Sequence, residues 1–113
     1  MGSNPPAVHE DQIQAHTYPD RWSKDLIGSA SMPTTSGFNM GVAEYHATAF
    51  GPLQVHDDQE AIYVISGVGE IQVSDTVIAI RPGSAVYIPP GTAHATRRTT
   101  QEPVKVVYAH GAV

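Results

Sequence analysis

The stretch that decides the fold is "GSAVYIPPGTAHATRR", residues 83–98. After Gly83 and Ser84 it contains a short apolar run, residues 85–88, which is followed at once by two prolines. Proline has no backbone N–H to give to a sheet, so a strand has to stop there. Gly91 then permits a turn, and "TAHATRR" resumes extended structure with His94 near its start. The stretch therefore predicts two short strands joined by a proline-rich turn, with a histidine held just after that turn.

Short apolar runs of the same kind occur on both sides of this stretch. "FNMGVAEYHATAF", "EAIYVISG" and "GEIQVSDTVIAI" precede it, and "VKVVYAHG" follows it. Nine prolines and ten glycines supply turns between these valine- and isoleucine-rich runs. Roughly eight or nine short strands at intervals of about ten residues are typical of a small antiparallel sandwich or barrel, and a jelly roll fits. A chain of 113 residues has room for one such domain with one hydrophobic core.

The segment 1–36 does not show this alternating pattern. Four prolines fall within it, and they make a long helix improbable. Its part "DRWSKDLIGSASM" predicts either a single helical turn or a first strand over Lys24 to Met32. We expect an irregular arm, or one added strand, that packs on the strand domain of residues 37–113. Trp22 is its expected anchor, through core or interface packing.

Composition excludes several classes of function. The net charge is −5, and Arg97-Arg98 is the single basic pair, which argues against a nucleic-acid partner. The chain has no cysteine, so neither a disulfide nor a thiolate-bound zinc is possible, and a reducing compartment fits. No apolar run has membrane-spanning length. We expect a cytoplasmic protein without membrane contact.

The polar start of "QVHDDQEAIYVISG", residues 54–67, contains candidate metal ligands. In an extended segment Gln54, His56, Asp58 and Glu60 share one face. One strand cannot surround a cation, so a further ligand has to come from elsewhere, and His94 is the candidate. Two imidazoles and one carboxylate suit Fe(II), Mn(II), Ni(II) or Zn(II), and they leave coordination positions open for substrate or dioxygen.

The stretch 83–98 resembles the second motif of the cupin superfamily. That motif consists of Gly, five residues, Pro, one residue, Gly, two residues, His, three residues and Asn. Gly83, Pro89, Gly91 and His94 all fall in register, and Arg98 stands where Asn is expected.

The segment around residues 54–67 resembles the first cupin motif. That motif consists of Gly, five residues, His, one residue, His, three or four residues, Glu, six residues and Gly. Here His56, Glu60 and Gly67 fit, Gln54 stands at the first histidine position, and Thr48 stands at the leading glycine.

The resemblance implies an all-β double-stranded β-helix, the jelly-roll barrel of cupins, with one divalent metal ion bound inside. His56, Glu60 and His94 would be its ligands. Gln54 would either add a weak amide-oxygen ligand or hydrogen-bond to one of the ligands. Arg98 would either bind a substrate carboxylate or point outward at the rim. Small cupins commonly form homodimers, so the resemblance implies one here.

Three hypotheses for the function follow. The first is a metal-dependent enzyme, of the dioxygenase, isomerase or lyase type, acting on a small polar or carboxylate metabolite. The second is a non-catalytic module that binds a small molecule or a metal. The third is a vestigial site, with Gln54 as the first sign of decay. The fold alone does not choose among these chemistries.

Several other polar residues fall outside both motifs. Asp57 and Asp58 are interpreted as a solvated loop tip. The remaining histidines are expected to be surface or packing residues; they are His9, His16, His46 and His110. A tyrosine whose hydroxyl reached the site could donate or accept a proton, but the pattern does not indicate which tyrosine does so.

Overall fold

The structure is a computed structural model, and it describes residues 6–30 and 32–113. Residues 1–5 of the predicted arm, and Ser31 within the predicted Lys24 to Met32 element, lie outside the described residues. A 3₁₀ helix, Glu10–Gln12, comes first. The strands that follow are β1 (His16–Thr17), β2 (Arg21–Ile27), β3 (Asn39–Tyr45), β4 (Gln59–Ser66), β5 (Gly69–Val73), β6 (Thr76–Ile80), β7 (Ala85–Ile88), β8 (His94–Arg98) and β9 (Val104–Gly111).

The strands form two antiparallel sheets. The larger sheet has the order β1-β2-β3-β9-β4-β7, and the smaller has the order β6-β5-β8. Every strand pair in both sheets is antiparallel. The predicted all-β antiparallel architecture is confirmed. None of the helices in the described residues has the length and apolarity that crossing a bilayer requires.

The core lies between the two sheets because each contributes one apolar face. In β4 the side chains of Glu60, Ile62 and Val64 are buried, while the residues between them are exposed, as expected from the two-residue period of a strand. Strands of both sheets contribute to one buried cluster. Its members are Ala43, Ile62, Val64, Ile71, Ile80, Ile88, Val104 and Val106. Glu60 continues the inward face of β4 beyond the apolar core, which places a carboxylate at one end of it.

The glycine-containing turns fit tightly around this core. Strand β7 ends at Ile88, directly before the two prolines, as the sequence predicts. Gly67 follows β4 with φ +82°, and a Cβ there would lie 2.1 Å from the carbonyl oxygen of Pro103. Gly83 also has a positive φ, +94°, but a Cβ there would meet no atom within 4 Å. Gly67 is therefore required for close approach as well as for its backbone conformation.

The N-terminal segment joins the larger sheet. Its strand, Arg21–Ile27, begins before the predicted Lys24 to Met32 element and pairs with β3. Trp22 is half-buried, and its Nε1 donates a hydrogen bond to Glu44 Oε1 at 3.3 Å. Lys105 Nζ lies 3.0 Å from Glu10 Oε1 and ties the 3₁₀ helix to β9. These contacts place β2 where its first residue, Arg21, can reach the candidate site.

Candidate metal centre

The three predicted ligands converge although they come from different parts of the fold. Glu60 is the second residue of β4 in the larger sheet, and His56 lies in the loop before it. His94 is the first residue of β8 in the smaller sheet. An isolated bridge joins Gln54 to His94, with reciprocal backbone hydrogen bonds of 2.9 and 3.0 Å. This bridge holds the loop that carries His56 against β8. The ligands from β4, from β8 and from this loop therefore lie close together.

The ligand atoms of His56, Glu60 and His94 all lie within 4.8 Å of one another. Glu60 Oε1 is 2.9 Å from His56 Nε2 and 3.4 Å from His94 Nε2. Glu60 and His94 are almost fully buried, with exposed fractions of 8% and 6%. Two imidazole nitrogens around one buried carboxylate oxygen form the donor set that a divalent transition metal prefers.

The orientation of the His94 ring supports this interpretation. Its Nδ1 lies 3.0 Å from the carbonyl oxygen of Thr92. Because a carbonyl oxygen can only accept a hydrogen bond, Nδ1 must carry the ring proton and donate it. A histidine ligand usually donates its other ring nitrogen to a carbonyl or carboxylate in this way. Nε2 is therefore the nitrogen that faces Glu60 and is available to a metal. The residues present fit a divalent cation held by His56, Glu60 and His94.

The buried charges of the cluster stabilise one another. Burial opposes ionisation of Glu60, but the hydrogen bond with His94 and the nearby charges of His110 and His94 outweigh it and lower the pKa of this carboxyl. Burial also opposes protonation of His94, but its hydrogen bonds to Glu60 and to the Thr92 carbonyl raise its pKa. Without a metal, Glu60 and protonated His94 thus form an ion pair at mildly acidic pH, and a bound cation would replace the proton.

This ion pair predicts how the metal-free protein responds to pH. The pKa of His94 is raised in the folded state, so its contribution to stability is complete below the ordinary value of 6.5 and is lost as pH rises through the raised pKa. After chelator treatment, the free energy of unfolding in urea should therefore fall from mildly acidic to mildly alkaline pH. His94→Gln should reduce this slope. An unchanged slope in the variant would contradict the assignment.

Two further residues belong to the site, against the sequence-based interpretation. His110 was expected at the surface or in packing, but its Nε2 lies 3.6 Å from Glu60 Oε2. Asp58 was expected to be a solvated loop tip, but both its carboxylate oxygens lie 3.1 Å from His110 Nδ1. The reason is strand register: β4 pairs with β9 so that Glu60 lies directly opposite His110. In an extended segment Asp58 lies on the same face as His56 and Glu60, so the alternation pattern of the sequence already indicated that Asp58 could belong to the site.

Gln54 lines the cavity, but its amide oxygen is already engaged. When the amide is oriented to suit its neighbours, Oε1 accepts hydrogen bonds from Arg21 Nη1 and Nη2 at 2.9 and 2.8 Å. Arg21 Nη1 also lies 3.0 Å from Asp20 Oδ1, and its guanidinium stacks 4.2 Å above the Tyr18 ring. Arg21 is a site residue that falls in neither motif, and no pattern in the sequence pointed to it.

Arg98 is not brought to this site. Its Nε donates to the carbonyl oxygen of His46 at 2.7 Å, and its Nη1 donates to that of Thr100 at 2.6 Å. These carbonyls hold the guanidinium beside the end of β8, and Arg98 is not among the residues that line the cavity. Of the two alternatives for this residue, the structure shows the outward orientation.

His56 and Glu60 line a cavity of about 360 Å³. Tyr45 and Tyr108 are the tyrosines that line it. Burial raises the pKa of Tyr45 to about 12, and burial together with the carboxylate of Asp25 raises the pKa of Tyr108. Both hydroxyls therefore stay protonated near neutral pH. Tyr108 Oη lies 2.6 Å from Asp25 Oδ1 and donates to it, whereas Tyr45 is the more deeply buried of the two and has the Thr96 hydroxyl as its neighbour.

Comparison with known proteins identifies a matching family and related folds. The family model described as "Cupin domain" matches residues 41–110, which is more than half of the chain. No protein of curated function matches the chain in sequence.

Solved structures resemble the whole fold. A RmlC-like cupin from Shewanella frigidimarina has a TM-score of 0.77 and 12% identity, with coverage of 100% of this chain and 96% of that one. The polyketide cyclase RemF from Streptomyces resistomycificus has a TM-score of 0.76 and 18% identity, with coverage of 100% and 81%. A mutant of the Bacillus subtilis oxalate decarboxylase OxdC has a TM-score of 0.81 and 14% identity; the match covers 99% of this chain but 31% of that one. Identities this low establish the shared fold and nothing more specific.

Proposed function

Because the chain belongs to the cupin domain family, we propose that it is a metal-dependent enzyme acting on a small, carboxylate-bearing or otherwise oxygenated metabolite. The observation that carries the proposal is the convergence of His56, Glu60 and His94 within 4.8 Å at the edge of a cavity of about 360 Å³. A structural metal site is usually closed by four protein ligands, whereas three ligands beside a cavity leave room for a substrate. That difference favours catalysis over a purely structural role.

A divalent cation at this position would supply Lewis acidity toward substrate oxygens, or redox chemistry if it is iron. The chain's own groups would do the rest. His56, Glu60 and His94 would hold the cation, and the buried walls would limit access of water. The protonated hydroxyl of Tyr45 could donate a hydrogen bond to a bound oxygen.

The reaction type remains within the dioxygenase, isomerase and lyase group. Two structural neighbours carry enzyme names, an oxalate decarboxylase and a polyketide cyclase. One fold thus supports unrelated reactions, and the chemistry has to be read from the site. The alternative is a non-catalytic cupin module that binds a small molecule or the metal itself.

Arg21 supports the choice of an oxygenated, anionic substrate. Of the described residues that line the cavity, it is the only lysine or arginine. Asp20, Gln54 and Tyr18 hold its guanidinium in place before any ligand arrives. A preorganised guanidinium binds a carboxylate through paired N–H donors, which lysine cannot reproduce. We therefore assign anion recognition to Arg21 in place of Arg98.

The test of this function begins with metal content. Protein purified without a metal-affinity tag, wild type beside His56→Ala, is analysed by inductively coupled plasma mass spectrometry. Near-stoichiometric Fe, Mn, Ni or Zn that is lost in the variant supports the site. The loaded protein is then screened against small mono- and dicarboxylates for binding by thermal shift, and for turnover by product NMR and oxygen consumption. Binding without turnover would favour the module. A protein that refuses added metal would contradict the proposal.

Replacement of Arg21 should separate substrate recognition from metal binding. In Arg21→Lys the paired donors are lost, and we expect carboxylate affinity to fall by about tenfold or more, in line with the strength of charge-assisted hydrogen bonds. Metal content should stay at the wild-type level. Arg98→Lys is the matched control and should leave both quantities unchanged. Equal losses in the two variants would remove Arg21 from this role.

A further inference from the structure

We propose that the cavity contains a second position for a divalent cation, formed by His56, Asp58 and His110. This proposal rests on the first position, at His56, Glu60 and His94, because both share one imidazole. It assigns a shared purpose to the two residues, Asp58 and His110, that neither sequence motif contains.

The geometry of the second triad matches that of the first. One ligand atom from each of His56, Asp58 and His110 lies within 4.8 Å of the other two. Asp58 Oδ1 is 2.6 Å from His56 Nδ1, and both Asp58 oxygens are 3.1 Å from His110 Nδ1. The set again contains two imidazole nitrogens and one carboxylate. All three residues line the cavity.

His56 shows a buried polar atom that the protein alone does not satisfy. Its Nδ1 is shielded from solvent and makes no hydrogen bond of acceptable geometry within the described residues. The nearby Asp58 oxygen is close, yet it is not aligned for a hydrogen bond with this nitrogen. Buried polar atoms are normally paired, so an unpaired one that faces a carboxylate requires a partner. A cation bound by both Nδ1 and an Asp58 oxygen would provide that partner, with these two atoms moving slightly apart from their present separation of 2.6 Å.

The charge balance of the cavity leaves room for more than one cation. Asp20 already neutralises Arg21 at 3.0 Å. Three other carboxylates line the cavity, those of Asp25, Asp58 and Glu60. Within the described residues their ion-pair contacts are with histidines and not with lysine or arginine. One divalent ion would offset two of these three negative charges and leave one for a second cation.

The two positions are compatible with each other. The two nitrogens of the His56 ring point in diverging directions, with Nε2 toward Glu60 and Nδ1 toward Asp58. Cations on the two sides of the ring would therefore not collide. Use of both nitrogens requires the His56 ring to lose its N–H proton to solvent as well, so that it would bridge the two cations as an imidazolate, whereas a histidine that binds one cation remains neutral. Asp58 and His110 would be ligands of the second cation alone. Borderline divalent ions such as Zn(II), Ni(II) or Co(II) suit this donor set.

Cobalt(II) titration of the chelator-treated full chain tests the proposal. Isothermal calorimetry and metal analysis after gel filtration give the number of ions bound per chain. The variants are His94→Gln for the first position, Asp58→Asn and His110→Gln for the second, and the double variant of His94→Gln with Asp58→Asn. The exposed His46, replaced by Gln, is the control. Circular dichroism and thermal unfolding check that each variant folds. Two variants of the second position are included so that the test still works if one of them does not fold.

The proposal expects two ions in the wild type and in the control, one in each single variant, and none in the double variant. One ion in the wild type, lost in His94→Gln but kept in Asp58→Asn and His110→Gln, would overturn it and leave the proposed function standing. One ion that every triad variant loses would also overturn it, because all these residues would then share one site. A wild type that binds no ion would contradict both proposals.

Discussion

Replacement of His94 by glutamine is expected to lower the affinity for the tightest-bound divalent ion by at least about 100-fold. This loss exceeds the roughly 10- to 100-fold loss of metal affinity that is typical when a residue that only orients a ligand is replaced. His94 is the ligand that comes from the smaller sheet; His56 and Glu60 come from one segment. Without His94 the cation keeps two ligands on one side. Glutamine is close to histidine in size, so the buried space stays filled.

Zinc(II) titration of chelator-treated protein by calorimetry measures this effect, with His46→Gln as the control. His46 is exposed and takes part in neither triad. Equal zinc affinity in the two variants would show that the cation, if one is bound, does not use the converged cluster. A loss in His94→Gln alone would place the tight site between the two sheets.

Replacement of Gly67 by alanine is expected to cost about 4 kcal/mol or more of unfolding free energy, the range reached by severe backbone and packing defects. The new Cβ would lie 2.1 Å from the Pro103 carbonyl oxygen and 2.8 Å from Val104 Cα. Both are main-chain atoms, so a change of side-chain rotamer cannot relieve the clash. The strand β9 would have to move away from β4, and the core between the sheets would open.

Gly83→Ala is the matched control, since Gly83 has a similar positive φ but open space around its Cβ position. Its cost should be about 1–2 kcal/mol, the penalty of the left-handed conformation alone. Urea unfolding followed by circular dichroism gives both values. Similar losses in the two variants would mean that the turn, rather than the contact with Pro103, sets the need for glycine at position 67.

The sequence predicted those features that depend on short-range spacing. The stop at Pro89-Pro90, the alternation in β4 and the spacing from His56 to Glu60 each involve a few neighbouring residues. The all-β fold and the family resemblance rest on such local patterns, and both are confirmed. The convergence of His56, Glu60 and His94 agrees with the predicted set.

Features that depend on long-range pairing were missed. His110 reaches Glu60 because β9 pairs with β4 in one register, and the composition of two strands does not specify which strands pair. Arg21 reaches the cavity because β2 joins the sheet beside β3. Arg98 is four residues after His94 and so lies on the same face of β8, but backbone carbonyls near the end of β8 bind its guanidinium. Local alternation cannot predict such a competition.

The position of β9 has a consequence for how the chain folds during synthesis. Among the strands of the described residues this one comes last along the chain, yet it lies within the larger sheet, between β3 and β4. A ribosome-bound chain that has not yet released residues 104–111 therefore carries two strands with unpaired edges, and such edges invite association with other chains. Pairing of β3 with β9 also has to close a loop of about sixty residues, a type of contact that slows folding. We expect nascent chains of this protein to rely on chaperones until β9 has emerged.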